Sequence, residues 1–168
     1  MEGFQMSSHQ EHYPTEHIHK KLHDFLDLKT LCEIEHPYLT LAVCTMFAES
    51  AIYCLHKNNH PLSISFQLQG DVQKTFVLRT LPISEKIINA YDDPEEAVEY
   101  GAVGIGLLLI RQCTQFEGVK RARKRTGFDY WLSEKADEKA GTLIQERARL
   151  EISGILKGTH AQFNTRIQ

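Results

Sequence analysis

The common catalytic and membrane signatures are missing from this chain, and each absence narrows the field. Its four cysteines, Cys32, Cys44, Cys54 and Cys113, form no C-x-x-C pair, and three of them lie in apolar, helix-like stretches. Buried thiols in a reducing compartment account for them more simply than disulfides or zinc, so a cytoplasmic location is expected. The longest apolar run, Tyr100 to Ile110, is far shorter than the roughly 20 residues needed to cross a bilayer, and no membrane role is expected. Residues Met1 to Tyr13 are polar and carry no apolar h-region, which argues against secretion. There is no G-x-S-x-G nucleophile elbow, and Gly104-x-Gly106 falls inside a helical pattern and not after a strand, where a dinucleotide fingerprint would sit. His19 and His23 would share one helix face, but no H-E-x-x-H pattern accompanies them, so His9, His12, His17, His19 and His23 are not read as a metal site. Net positive charge is lacking too. A balance of -3 excludes a globally basic nucleic-acid binder, although a local cationic patch still acts over a Debye length of roughly 8 Å.

What is present suits one ordinary globular unit: 42% hydrophobic and 24% charged residues over 168 positions are enough for a proper core. Residues 1–15 are expected to form a flexible N-terminus and 16–168 a single α/β domain. The spacing of Ile18, Leu22, Phe25 and Leu26 predicts an amphipathic helix from Glu16, and His36-Pro37 opens a second, strongly apolar helix to about Lys57. Alternation of Leu62, Ile64, Phe66 and Leu68, the Gly70-Asp71 turn and the return through Phe76 and Leu78 predict a β-hairpin over 62–80. A short helical piece follows around Ser84 to Tyr91. Asp93-Pro94-Glu95-Glu96 then supplies an N-cap, a proline at the first helical position and an acid three residues after the cap, predicting a central buried helix over 94–113. A basic strand over about 117–124, a strand from Asp129 to Ser133, a charged loop, a strand around Glu151 and a short helix after Gly158 complete the pattern. The expected fold is α/β, with a mixed sheet of about five strands against the central helix.

Three constellations carry candidate chemistry. Phe128, Tyr130 and Leu132 alternate with Asp129, Trp131 and Ser133, while Leu150 and Ile152 alternate with Glu151 and Ser153. Paired in register, the two strands would set Asp129 and Glu151 side by side, able to hold one divalent metal between hard oxygen ligands. Lys120, Arg121, Arg123, Lys124 and Arg125 put five cations into six residues just before the Asp129 strand. They read either as phosphate contacts for DNA or RNA or as the solvated, aggregation-resistant edge of a sheet. Glu99 is the only charge between Ala97 and Ile110; buried there, it would need a metal or a salt-bridge partner.

A central helix followed by three consecutive strands, with acids on the helix and on the second and third strands, resembles the core of the PD-(D/E)XK, or restriction-endonuclease-like, superfamily. The resemblance covers about residues 94–165. It implies nucleic-acid binding and Mg²⁺-dependent phosphodiester hydrolysis, with Asp129 and Glu151 as metal ligands and Glu99 assisting. The chain departs from the pattern at Ser153, where the superfamily places a lysine. A serine supplies no positive charge to the attacking water or to the transition state, leaving Lys157, Lys120 or Arg121 as the cations within sequence reach. That departure opens the alternative of a degenerate member: a catalytically inactive protein-interaction or assembly subunit, working with a protein partner or as a homo-oligomer.

Overall fold

The computed structural model describes residues 25–33, 36, 38–91, 93–123, 125–134, 147–159 and 161–162. In chain order these form β1 (Phe25–Asp27), α1 (Lys29–Glu33), α2 (Leu41–Lys57), β2 (Ser63–Leu68), β3 (Lys74–Arg79), α3 (Glu85–Ala90), α4 (Pro94–Cys113), β4 (Phe116–Arg121), β5 (Tyr130–Glu134) and β6 (Ala148–Leu150). The chain is therefore mixed α/β, but among the described residues the strands divide into two three-stranded sheets, β1-β3-β2 and β4-β5-β6, in place of the single sheet of about five strands expected. The physical reason is the helix pair α2/α4, whose two apolar faces each need covering; each takes one sheet. Leu26, Phe76 and Leu78 of the first sheet bury against Cys44, Ala48, Ala51 and Ile52 of α2. Tyr130 of the second buries against Phe47 of α2 and Val103 and Leu107 of α4.

The central helix follows the sequence reading closely. Asp93 caps it, accepting from Glu95 N at 2.9 Å, and Pro94 occupies the first turn with Glu95 and Glu96, whose charges favour the positive end of the helix dipole. Two glycines explain how α4 reaches α2: a Cβ on Gly104 would lie 2.9 Å from the Phe47 carbonyl oxygen, and one on Gly101 would lie 3.0 Å from the Ala51 Cα and N. The helices thus meet backbone against backbone.

The hairpin expected over 62–80 forms β2 and β3, in antiparallel register from Ser63↔Arg79 to Leu68↔Lys74. Phe25 and Leu26 do not belong to a helix. They lie in β1, which pairs in parallel with β3 (Leu26↔Leu78). Three residues of extended chain bury Leu26 on a preformed sheet edge, where a helical turn would expose it. The rest of the expected N-terminal helix, the histidines from His9 to His23, the loop over 135–146 and most of the helix expected after Gly158 lie outside the described residues. The second helix starts at Leu41, capped by Thr40, while the His36 Nδ1 accepts from Tyr38 N and Leu39 N at 3.2 Å each.

Candidate functional site

The second sheet and the residues that flank its strands carry Asp129, Glu151 and the described cations of the 120–125 run, and its register decides which side chains meet. In β5, Tyr130 and Leu132 are buried on the helix side, so alternation sends Trp131 to the outer face. There it lies directly between Lys120 of β4 and Arg149 of β6. Residues opposite one another on neighbouring antiparallel strands share a face, so Lys120, Trp131 and Arg149 form one cross-strand row. A register shift between Gly118 and Lys120 sets this alignment. Phe128 packs edge-on to Trp131, with centroids 4.6 Å apart at 78°, and the Arg149 guanidinium sits 5.3 Å from the Phe128 centroid and 5.5 Å from that of Trp131. An aromatic pair of this geometry contributes about 0.5–1.5 kcal/mol beyond its buried area, and each exposed cation–π contact about 0.5–1 kcal/mol.

Only part of the cation run lies on a strand. Lys120 and Arg121 end β4, whereas Arg123 and Arg125 stand on the connecting turn, and Lys124 lies outside the described residues. That turn is closed by Thr126, whose N donates to the Arg123 carbonyl at 3.3 Å and whose hydroxyl donates to it at 2.8 Å. Arg125 holds a left-handed conformation at φ 76° and Gly127 another at φ 79°. Arg121, Arg123, Arg125, Arg147 and Arg149 are all exposed and make no salt bridge among the described residues. Arg147 and Arg149 were not singled out from sequence. The β5–β6 register sets Arg149 opposite Trp131 and leaves Arg147, whose N donates to the Leu132 carbonyl, at the end of the ladder away from the 123–127 turn; the charged loop joining the two strands hides that register from the sequence.

The two strand acids flank the end of the β5–β6 ladder. β6 ends at Leu150, so Glu151 stands just past the strand and Asp129 just before β5, adjacent across the end of the ladder Tyr130↔Leu150. Asp129 N donates to the Leu150 carbonyl at 2.9 Å, and its Oδ2 accepts from Ile152 N at 2.7 Å. The carboxylate thus ties the departing chain back to β5. Glu151 is exposed, as is Ser153. Glu99 is exposed on α4 and needs no compensating partner, contrary to the expectation of a buried charge. It sits at the edge of the apolar face, near Tyr130. Burial pushes the Tyr130 hydroxyl above its ordinary pKa; Arg121 opposes the shift, and Asp129, Tyr100 and Glu99 add to it. The helix acid and the strand acid therefore act on one phenol, while Lys157 lines a cleft with Pro94, Glu95 and Gly154.

One Asp129 oxygen is committed to a backbone amide, and among the described residues no three His, Cys, Asp or Glu side chains form a metal-holding group. Burial raises the thiols of Cys32 and Cys44 and pushes that of Cys54 up to about 11, which disfavours the reactive thiolate at those three positions. Among the described residues no helix is long and apolar enough to cross a membrane. Compared with known protein families, curated proteins and solved structures, the chain shows no match to any.

Proposed function

We propose that the chain binds the phosphate backbone of nucleic acid through the second sheet, at its β4–β5 turn and along its β6 side. The observation that carries the reading is the set of exposed guanidinium groups at Arg121, Arg123, Arg125, Arg147 and Arg149, with Lys120 beside them and no acid paired to the five arginines among the described residues. Solvated edge cations would serve as well against aggregation, but an arginine held in a left-handed turn is a costly way to supply one. Guanidinium groups fit phosphate oxygens in a planar fork, and a cluster of them works against a net charge of -3 because only the local field matters at contact.

The test is a titration of labelled DNA and RNA oligonucleotides by fluorescence anisotropy across a potassium chloride series. Binding should weaken as salt rises, with a log–log slope of about 0.7–0.9 per phosphate contacted, and Lys120→Ala with Arg123→Ala should flatten that slope. Absence of binding to any nucleic acid at low salt would sink the reading and favour a protein-interaction role. Cleavage is read from the same samples on adding Mg²⁺. Binding without cleavage fits Ser153 and the engaged Asp129 carboxylate; cleavage lost in Glu151→Ala would restore the hydrolytic expectation.

A further inference from the structure

We infer that Trp131 and Phe128 form a base-stacking platform that makes the site selective for single-stranded nucleic acid. The inference rests on the phosphate-binding reading and adds a substrate class to it. Phosphate contact alone requires only cations, and a duplex presents its phosphates as readily as a single strand does. The outer face of the sheet holds something a duplex cannot use: two half-exposed rings, edge to face at 4.6 Å, at the centre of the cationic row Lys120–Trp131–Arg149. Bases within a duplex are stacked on each other and hide their faces, whereas those of a single strand are open to an aromatic side chain.

The supporting geometry is set by the strand register. Trp131 is fixed between strands on both sides, Phe128 braces its edge, and the Arg149 guanidinium lies within 5.5 Å of both ring centroids. A guanidinium plane so placed can stack on a base or reach the adjoining phosphate without leaving its strand position. Lys120 on the other flank marks a second phosphate position, so the row orders cation, ring, cation across three strands. A strand laid along it would alternate backbone and base contacts.

Trp131 is the chain's single tryptophan, so its emission reports on this platform alone. Wild-type protein would be titrated at low salt with a dT oligonucleotide of about 12 nucleotides, within the span one such surface covers, and with a duplex of equal length. Stacking predicts quenching of Trp131 emission by the single strand only, and tighter binding of the single strand than of the duplex. By anisotropy, Trp131→Ala should weaken single-strand binding by roughly 5- to 150-fold, the effect of losing one stacked base, and leave duplex binding unchanged. If Trp131→Ala melts the fold, Trp131→Phe and Trp131→Leu replace it: phenylalanine should retain single-strand binding and leucine should lose it. Equal affinity for both forms, or unchanged emission at saturation, would overturn the platform while leaving phosphate binding in place. Failure of the wild type to bind either form would remove the underlying reading and the platform with it.

Discussion

Arg125 offers a test in which stability and binding move in opposite directions. Its φ of 76° lies in the left-handed region, where a Cβ costs about 1–2 kcal/mol relative to glycine. Arg125→Gly removes that strain, but the unfolded chain gains backbone freedom worth about 0.4–1 kcal/mol, which offsets part of the gain. The net expectation is stabilisation of about 0.5–1 kcal/mol, or a rise in Tm of roughly 1–4 °C for a domain of this size. Binding should weaken, with the salt slope falling by about 0.7–0.9 for one lost phosphate contact. Arg123→Ala serves as the control: on the same turn but without a positive φ, it should lose the contact without the gain in Tm. Differential scanning fluorimetry and anisotropy on one preparation read both quantities. A fall in Tm on Arg125→Gly, or unchanged binding, would refute the argument that the turn spends stability to present this guanidinium.

Three further outcomes follow from contacts elsewhere. Gly104→Ala should destabilise by about 1–2 kcal/mol in urea unfolding, because the clash with the Phe47 backbone outweighs the roughly 1 kcal/mol that alanine gains in an open helix; a stabilised variant would contradict the close helix approach. Asp129→Ala should cost about 1–3 kcal/mol without metal, since Ile152 N loses its acceptor, whereas a pure metal ligand would leave metal-free stability intact and lose only a Mg²⁺-dependent rise in Tm. His36 is held neutral, its pKa below the ordinary 6.5 chiefly through burial, with Arg111 adding to the shift and Glu117 opposing it. Its contribution to stability is therefore full above 6.5 and declines as pH falls toward the lowered folded value, because the unfolded chain takes up the proton first. In His36→Asn, which keeps an acceptor for Tyr38 N and Leu39 N, that segment of the pH profile should flatten.

Local signals gave the elements in which one residue type controls one backbone feature. Asp93-Pro94 marked the start of α4, Gly70-Asp71 marked the β2–β3 turn, and alternation around Phe76 and Leu78 marked their strand. The partition of strands between sheets was not legible, because it depends on which helix face each strand covers. Phe25 and Leu26 fit a helical spacing and still joined a sheet, since pairing with Val77 and Leu78 is decided some fifty residues along the chain. At the site, the cation run and the two acids were visible as types, but their roles depended on register. Asp129 reads equally as a ligand or as a tether until Ile152 N is placed beside it. Arg149 carried no distinguishing signal until the strand pairing put it opposite Trp131.

The Asp129 tether also has a mechanical meaning. Residues 151–159 have no regular secondary structure, yet they are fastened at both ends of a short path, by Ile152 N to Asp129 at the start of β5 and by the Leu156 carbonyl, which accepts from Asn58 Nδ2 at the end of α2. Between these points the chain lies directly on α4: a Cβ on Gly106 would lie 2.8 Å from Ile152 Cδ1, and one on Gly154 would lie 2.6 Å from the Val98 carbonyl oxygen. A strap under that constraint cannot slide without moving the helix. The amide of Ile152, though outside any strand, should exchange its hydrogen as slowly as those of β5, and faster exchange there would be the first sign that the strap had let go.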